Sequence, residues 1–206
     1  MKAADTGDQP KATVYKHAAL RVRHYPGQQV CGDVGAWWQS GQRRVLCIAD
    51  GLGHGPEAAR AAYRAIEYVG NHLDDSVPVL LAGCDVALRG SRGAAVGIVI
   101  MEGGRLTYGG VGNTRGMRVG VGTCRFSSDA GIVGAGSCRI LVEATAVEVG
   151  DLVILFTDGV SERLSVPAST TLGRVNTGDL ADQLLARWAT GQDDAAVLVY
   201  QHMEVA

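Results

Sequence analysis

Val45-Leu46-Cys47-Ile48-Ala49-Asp50-Gly51-Leu52-Gly53-His54-Gly55-Pro56 carries more architectural information than any other segment of the chain. Five apolar residues, the length of a short buried strand, run directly into an acid. A glycine-rich turn follows, and Pro56 suits the first turn of a helix, where its missing N–H costs nothing. The stretch therefore reads strand, acid, turn, helix. Leu152-Val153-Ile154-Leu155-Phe156-Thr157-Asp158-Gly159-Val160 repeats the strand-Asp-Gly pattern a hundred residues later. Cys31-Gly32-Asp33 lies upstream of the first copy, and Gln192-Asp193-Asp194 precedes a last apolar run, Ala195–Tyr200. Any one Asp-Gly pair is adequately explained as a turn, because Asp accepts local backbone hydrogen bonds and Gly tolerates positive φ. Two strand-Asp-Gly elements, an upstream Gly-Asp and an Asp-Asp before the last strand, taken together, point to one cation site assembled from distant segments. Carboxylates and backbone carbonyls suit Mg²⁺ or Mn²⁺, whereas zinc usually takes Cys or His.

Outward from the opening stretch, the pattern alternates strands and helices in blocks. Residues 12–24 and 29–39 read as strands around the break Pro26-Gly27, and Ser40-Gly41-Gln42 is a hairpin turn into 43–49. From Pro56, Ala58, Ala62, Ile66, Val69 and Leu73 form one apolar helical stripe. A second helix is predicted over about 77–88, with Ser76 as N-cap and Pro78 in the first turn. Short strands then follow at 94–101, 105–110, 114–119, 124–127, 140–147 and 151–156. A third helix covers about 179–190, with Leu180, Leu184, Leu185 and Trp188 on its apolar face, and the chain closes with a strand over 195–202. Gly109-Gly110-Val111-Gly112-Asn113 lacks the Lys-Ser/Thr of a phosphate loop and reads as a tight turn. Strands, two helices, many strands, helix, strand is the order of an α+β sandwich with helices covering antiparallel sheets.

Composition excludes several classes. At 206 residues, 47% hydrophobic and 19% charged, the chain is globular and long enough for a substantial core. A net charge of −2 without a basic block argues against a nucleic-acid partner. No apolar run approaches the ~20 residues needed to cross a membrane. Met1–Pro10 is polar and resembles neither a signal peptide nor a lipidation site, so 1–10 is expected as a disordered lead-in and 11–206 as one domain. The five cysteines, Cys31, Cys47, Cys84, Cys124 and Cys138, form no CxxC pair, and their small or apolar surroundings suggest free thiols in a reducing cytoplasm. None begins the Cys-x5-Arg loop of a cysteine phosphatase, and no Asp-x-Asp-x-Thr/Val of the haloacid dehalogenase type stands near the N-terminus.

The ordered set Gly32-Asp33, Ala49–Gly55, Arg92-Gly93-Ala94-Ala95-Val96, Gly110-Val111-Gly112-Asn113, Phe156–Glu162 and Asp193-Asp194 resembles the metal-dependent PPM serine/threonine phosphatases in their bacterial SpoIIE-like branch. The likeness runs over roughly residues 12–202. It implies an αββα sandwich of two antiparallel β-sheets flanked by helices, with two Mn²⁺ or Mg²⁺ ions at one edge. By that likeness Asp50 would bridge both ions, the Gly51 carbonyl would complete one coordination sphere, and Asp158 and Asp193 would ligate one ion. Asp33 would act on the other ion's side, and Asp194 would at most orient its neighbour. Asp50 and Asp158 would then hold a water of lowered pKa for in-line attack on phosphorus. His54 is a candidate proton donor to the leaving group, although a structural role at the helix start explains it equally well. Arg21 and Arg23 are candidates for the substrate phosphate, while Arg92, ahead of a buried strand, favours a structural hydrogen bond. The resemblance further implies a phosphorylated protein as substrate, such as the STAS-domain proteins of a stressosome, and the chain is expected to act as a monomer. The short polar segment 161–178 would leave the site open to a folded substrate. The alternative is a catalytically silent binding module that keeps this fold.

Overall fold

The computed structural model describes residues 17–136, 140–167, 170 and 173–203. The predicted lead-in at 1–10, the start of the first predicted strand and Cys138 lie outside these residues. Thirteen elements follow in chain order: β1 (Ala18–Arg23), β2 (Asp33–Ser40), β3 (Arg43–Gly51), α1 (Pro56–Gly70), α2 (Val77–Ala87), β4 (Ala94–Glu102), β5 (Arg105–Val111), β6 (Arg115–Val119), β7 (Thr123–Ser127), β8 (Val142–Ala146), β9 (Leu152–Phe156), α3 (Thr177–Trp188) and β10 (Ala195–Gln201). They form two five-stranded sheets, ordered β1-β10-β9-β6-β7 and β2-β3-β4-β5-β8, in which every neighbouring pair is antiparallel.

Three apolar layers hold the sandwich together, and strand alternation assigns each side chain to its layer. Leu46 and Ile48 of β3, Val99 and Met101 of β4, Val153 and Leu155 of β9, and Ala196 and Leu198 of β10 meet between the sheets. Val45, Cys47 and Ala49, on the opposite face of β3, pack against α1 and α2. Ile154, Phe156, Val197 and Val199 pack outward against Leu180, Ala181 and Leu184 of α3. Because both faces of the central strands are covered, they read as continuous apolar runs rather than alternating ones.

Helix α1 lies close to its sheet because its buried face is mostly alanine: Ala58, Ala59, Ala61, Ala62 and Ala65, with Ile66 and Val69. A Cβ on Gly51 would fall 1.9 Å from the Ala58 carbonyl oxygen, so only glycine permits this approach at the end of β3. Two boundaries depart from the sequence reading. The region after Pro26-Gly27 becomes a strand only at Asp33, and α3 starts two residues early because Asn176 caps it, its side-chain oxygen accepting from the Gly178 and Asp179 N–H groups at 3.1 and 3.3 Å. Ser76 does occupy the N-cap of α2, but its side chain makes no capping bond. Cys31, Cys47, Cys84 and Cys124 are unpaired thiols. Burial pushes the Cys31 and Cys84 thiols up to about 12, which suits inert packing groups rather than nucleophiles. Among the described residues, no helix is long and apolar enough to cross a membrane.

Candidate active site

Side-chain parity aims the acids inward. Asp33 and Asp50 are paired residues on β2 and β3, and both continue the face of their strands that fills the space between the sheets. Asp33 is 4% exposed. The Thr157 hydroxyl, which follows β9 in the opposite sheet, donates to Asp33 Oδ2 at 2.6 Å and accepts from the Ala196 N–H at 2.8 Å. One hydroxyl thus ties both sheets together immediately behind the acids. Asp158 is the next residue along and projects to the exposed rim, where the Asn113 side-chain amide donates to its Oδ2. Asp193 is also exposed, and its carboxylate accepts the Asp194 N–H at 2.8 Å.

Asp194, only 2% exposed, has a different task. Its two oxygens accept the backbone N–H groups of Tyr25 and Gly32 at 2.7 and 2.8 Å, fixing the segment that leads into Asp33. A Cβ on Gly32 would sit 2.9 Å from one of those oxygens, and one on Gly159 would sit 1.9 Å from the Asp194 carbonyl. These glycines let the Asp33, Asp158 and Asp193-Asp194 segments close on one another. The Gly51 N–H donates to the Gly32 carbonyl at 3.1 Å and the Leu52 N–H to the Gly93 carbonyl at 3.0 Å, which brings the Arg92-Gly93 segment to the same edge.

Crowding these carboxyls raises their affinity for protons. Asp50 is pushed up to about 9 by burial first, then by the charges of Asp33 and Asp158, and by donating its proton to Asp33. Asp33 is raised to about 7, again by burial first, with the bonds from Thr157 and Asp50 partly offsetting the shift. Asp158, partly desolvated although it reaches the rim, is raised by that desolvation first and then by the charge of Asp193, opposed by the bond from Asn113. A cation would relieve this repulsion, and the donors suit a hard divalent one. Four carboxylates and the Gly51 carbonyl offer oxygen only, and the buried Asn113 Oδ1 has no hydrogen-bond partner among the described residues. Among the described residues, no three His, Cys, Asp or Glu side chains are grouped closely enough to hold an ion as they stand.

The remaining candidates lie around this centre. His54 is exposed and its ring stacks on Tyr25, with centroids 4.8 Å apart and planes 6° from parallel, so the structure gives it a packing contact at the rim. Arg21 faces α3 and donates to Asp182 at 2.7 Å, which engages it on the outer face, away from the acids. Arg23 lies by Gly191 in the loop carrying Asp193, and its Nη2 is buried without a hydrogen-bond partner. Arg92 departs from expectation: it is exposed and makes no structural hydrogen bond or ion pair among the described residues. Sequence reasoning assigned no role to Thr157 or Asn113. Adjacency to Asp158 marked the first, and the glycine-rich run before it marked the second.

Two antiparallel sheets faced by helices, with acids gathered at one edge, define the PP2C phosphatase fold. The SpoIIE PP2C phosphatase domain of Bacillus subtilis superposes with a TM-score of 0.73 at 18% identity, covering 90% of this chain and 63% of that one. Residues 40–203 match the family model of Stage II sporulation protein E (SpoIIE), and the chain belongs to that family. The phosphoserine phosphatase RsbX of Bacillus subtilis (strain 168) is 30% identical over 92 residues, a match spanning 43% of this chain and less than half, 46%, of that relative. RsbX in complex with magnesium superposes with a TM-score of 0.75 at 22% identity, covering 91% of this chain and 96% of that one. A chain from a structure of the bacterial stressosome superposes with a TM-score of 0.83 at 27% identity, covering 90% and 98%.

Proposed function

We propose that this chain is a metal-dependent protein serine/threonine phosphatase that hydrolyses phosphoserine or phosphothreonine on STAS-domain proteins of a stressosome or partner-switching system. The observation that carries the reading is the meeting of Asp33, Asp50 and Asp158 at one sheet edge, with carboxyls raised by burial first and then by one another's charge. Asp33, Asp50, Asp158, Asp193 and the Gly51 carbonyl would hold Mn²⁺ or Mg²⁺, with two ions expected from the family likeness. When bound, such ions supply positive charge for the phosphoryl oxygens and a water acidic enough to attack near neutral pH.

The chain's own groups set up the rest. Thr157 holds Asp33 with one oxygen occupied and so fixes its orientation. Asn113 does the same for Asp158 from the other side. Asp194 pins the Asp33 segment without facing the reacting atoms, which fits a positioning role. The RsbX and stressosome likenesses support the choice of substrate. Phosphate release from a phosphorylated STAS-domain protein, measured with and without Mn²⁺, tests it. Metal-dependent release is expected; release from an aryl phosphate but not from the phosphoprotein would refute the substrate, and release from neither would leave a binding module.

A further inference from the structure

Past the turn that follows Asp50, the first turns of α1 and the loop before β4 line an open cavity of about 340 Å³, bordered by Glu57, Arg60, Arg64, Gly90, Ser91 and Arg92. No apolar side chain lines it beyond the aliphatic stems of its charged residues. Arg60 is paired with Glu57 at 2.8 Å, which leaves Arg64 and Arg92 with no ion pair or hydrogen bond among the described residues. Two uncompensated guanidinium groups thus face one small cavity, in a chain whose overall charge is −2. The cavity is tied to the reaction centre through the backbone. Gly93 accepts the Leu52 N–H, and an Arg92 guanidinium nitrogen lies 3.0 Å from where a Cβ on Gly53 would stand, two residues beyond Gly51.

We propose that Arg64 and Arg92 form a specificity pocket for a second oxyanion of the phosphoprotein, a carboxylate or phosphate flanking the scissile phosphoserine. The proposal rests on the phosphatase reading for its substrate class. Its physical basis is charge and geometry: two exposed guanidinium groups without an acidic partner attract an anionic segment and offer it planar paired donors. A pocket without apolar lining has little to offer an uncharged side chain. Because the arginines lie on the α1 side of Gly53, the flanking oxyanion occupies them while the scissile phosphate occupies the acid edge.

The test uses a phosphoserine peptide with three flanking glutamates, its glutamine counterpart, a second version carrying one flanking phosphoserine, and p-nitrophenyl phosphate. Turnover is measured in Mn²⁺, and peptide binding by fluorescence anisotropy in metal-free buffer. For R64Q and R92Q the expected result is a KM about fivefold higher for the glutamate or doubly phosphorylated peptide at low salt, with kcat unchanged. That difference shrinks as ionic strength rises. The glutamine peptide and p-nitrophenyl phosphate are unaffected, and R92K restores part of the preference. Loss only with the doubly phosphorylated peptide identifies phosphate as the natural occupant, and loss with the glutamate peptide identifies carboxylate. Equal losses on p-nitrophenyl phosphate, or no change on any anionic peptide, overturn the pocket. Weaker anisotropy binding by the variants sustains the pocket even if no substrate is turned over, a result that would sink only the phosphatase reading.

Discussion

At the scale of single residues, the site depends on a few short hydrogen bonds that cross between segments. Thr157 is the most exposed to test, since its hydroxyl both donates to Asp33 and receives the Ala196 N–H. Thr157→Val preserves shape but leaves a buried N–H without its acceptor and a buried carboxyl without its donor. We expect about 1–3 kcal/mol of lost stability, since unpaired buried polar groups carry their full desolvation cost. Calorimetric Mn²⁺ titration should show weaker binding as well. Unchanged melting and unchanged Mn²⁺ affinity would show that Thr157 is a bystander. The aspartates themselves were legible in the sequence because each ends an apolar run. Their partners were not, because Thr157 meets Asp33 only across a separation of 124 positions and Asn113 meets Asp158 across 45. Arg92 shows the converse error: a residue before a buried strand suggests a structural bond, yet its side chain turns outward into the cavity.

At the scale of elements, the β3–α1 junction is the part on which the site is built. The strand, the Asp-Gly turn and the alanine face of α1 were all readable in sequence, because period and turn chemistry are local signals. The close approach was not, since it depends on Gly51 lying directly beneath Ala58. Gly51→Ala would drive a methyl group into the Ala58 carbonyl, forcing α1 off β3 and displacing Asp50 with it. Overpacking of this kind typically costs 1–3 kcal/mol, and a backbone obstacle 1.9 Å away places this site at about 3 kcal/mol or more. Denaturant unfolding gives the value; a loss under about 0.5 kcal/mol would mean that α1 is not seated against the strand as described. The shifted start of α3 has a similarly local cause. Asn176 had the right chemistry for a cap, but it lies outside the apolar periodicity that located the helix.

At the scale of the whole molecule, the fold stores charge repulsion at one edge, and pH should expose it. Asp50 moves from an ordinary value of 3.8 to about 9 in the folded, metal-free protein. Below 3.8 both folded and unfolded chains hold the proton, so this group contributes no pH dependence. Between 3.8 and about 9 the unfolded chain releases it and the folded one retains it, so stability falls as pH rises across that window. Asp33, raised to about 7, acts in the same direction over its lower part. Mn²⁺ should reverse the trend, because a cation displaces the protons and binds more tightly as pH rises. At a hundred times its dissociation constant it should add about 2.7 kcal/mol, or about 5–10 °C in melting temperature. Metal-free melts that do not fall with pH, or melts indifferent to Mn²⁺, would count against a cation centre here. The sandwich class was legible from the order of elements, but the strand orders were not, since the pairing of β1 with β10 spans nearly the full chain.

The most direct measurement is Mn²⁺-dependent phosphate release from p-nitrophenyl phosphate by the wild-type chain and Asp50→Asn, with each protein first confirmed as folded. Asp50 lies where the raised carboxyls meet, and the substitution keeps its shape while removing its charge. Metal-dependent release is expected from the wild type, with at least a hundredfold loss in the variant, about 2.7 kcal/mol or more of transition-state stabilisation. Wild-type release that persists in EDTA, or that survives Asp50→Asn undiminished, would contradict that expectation.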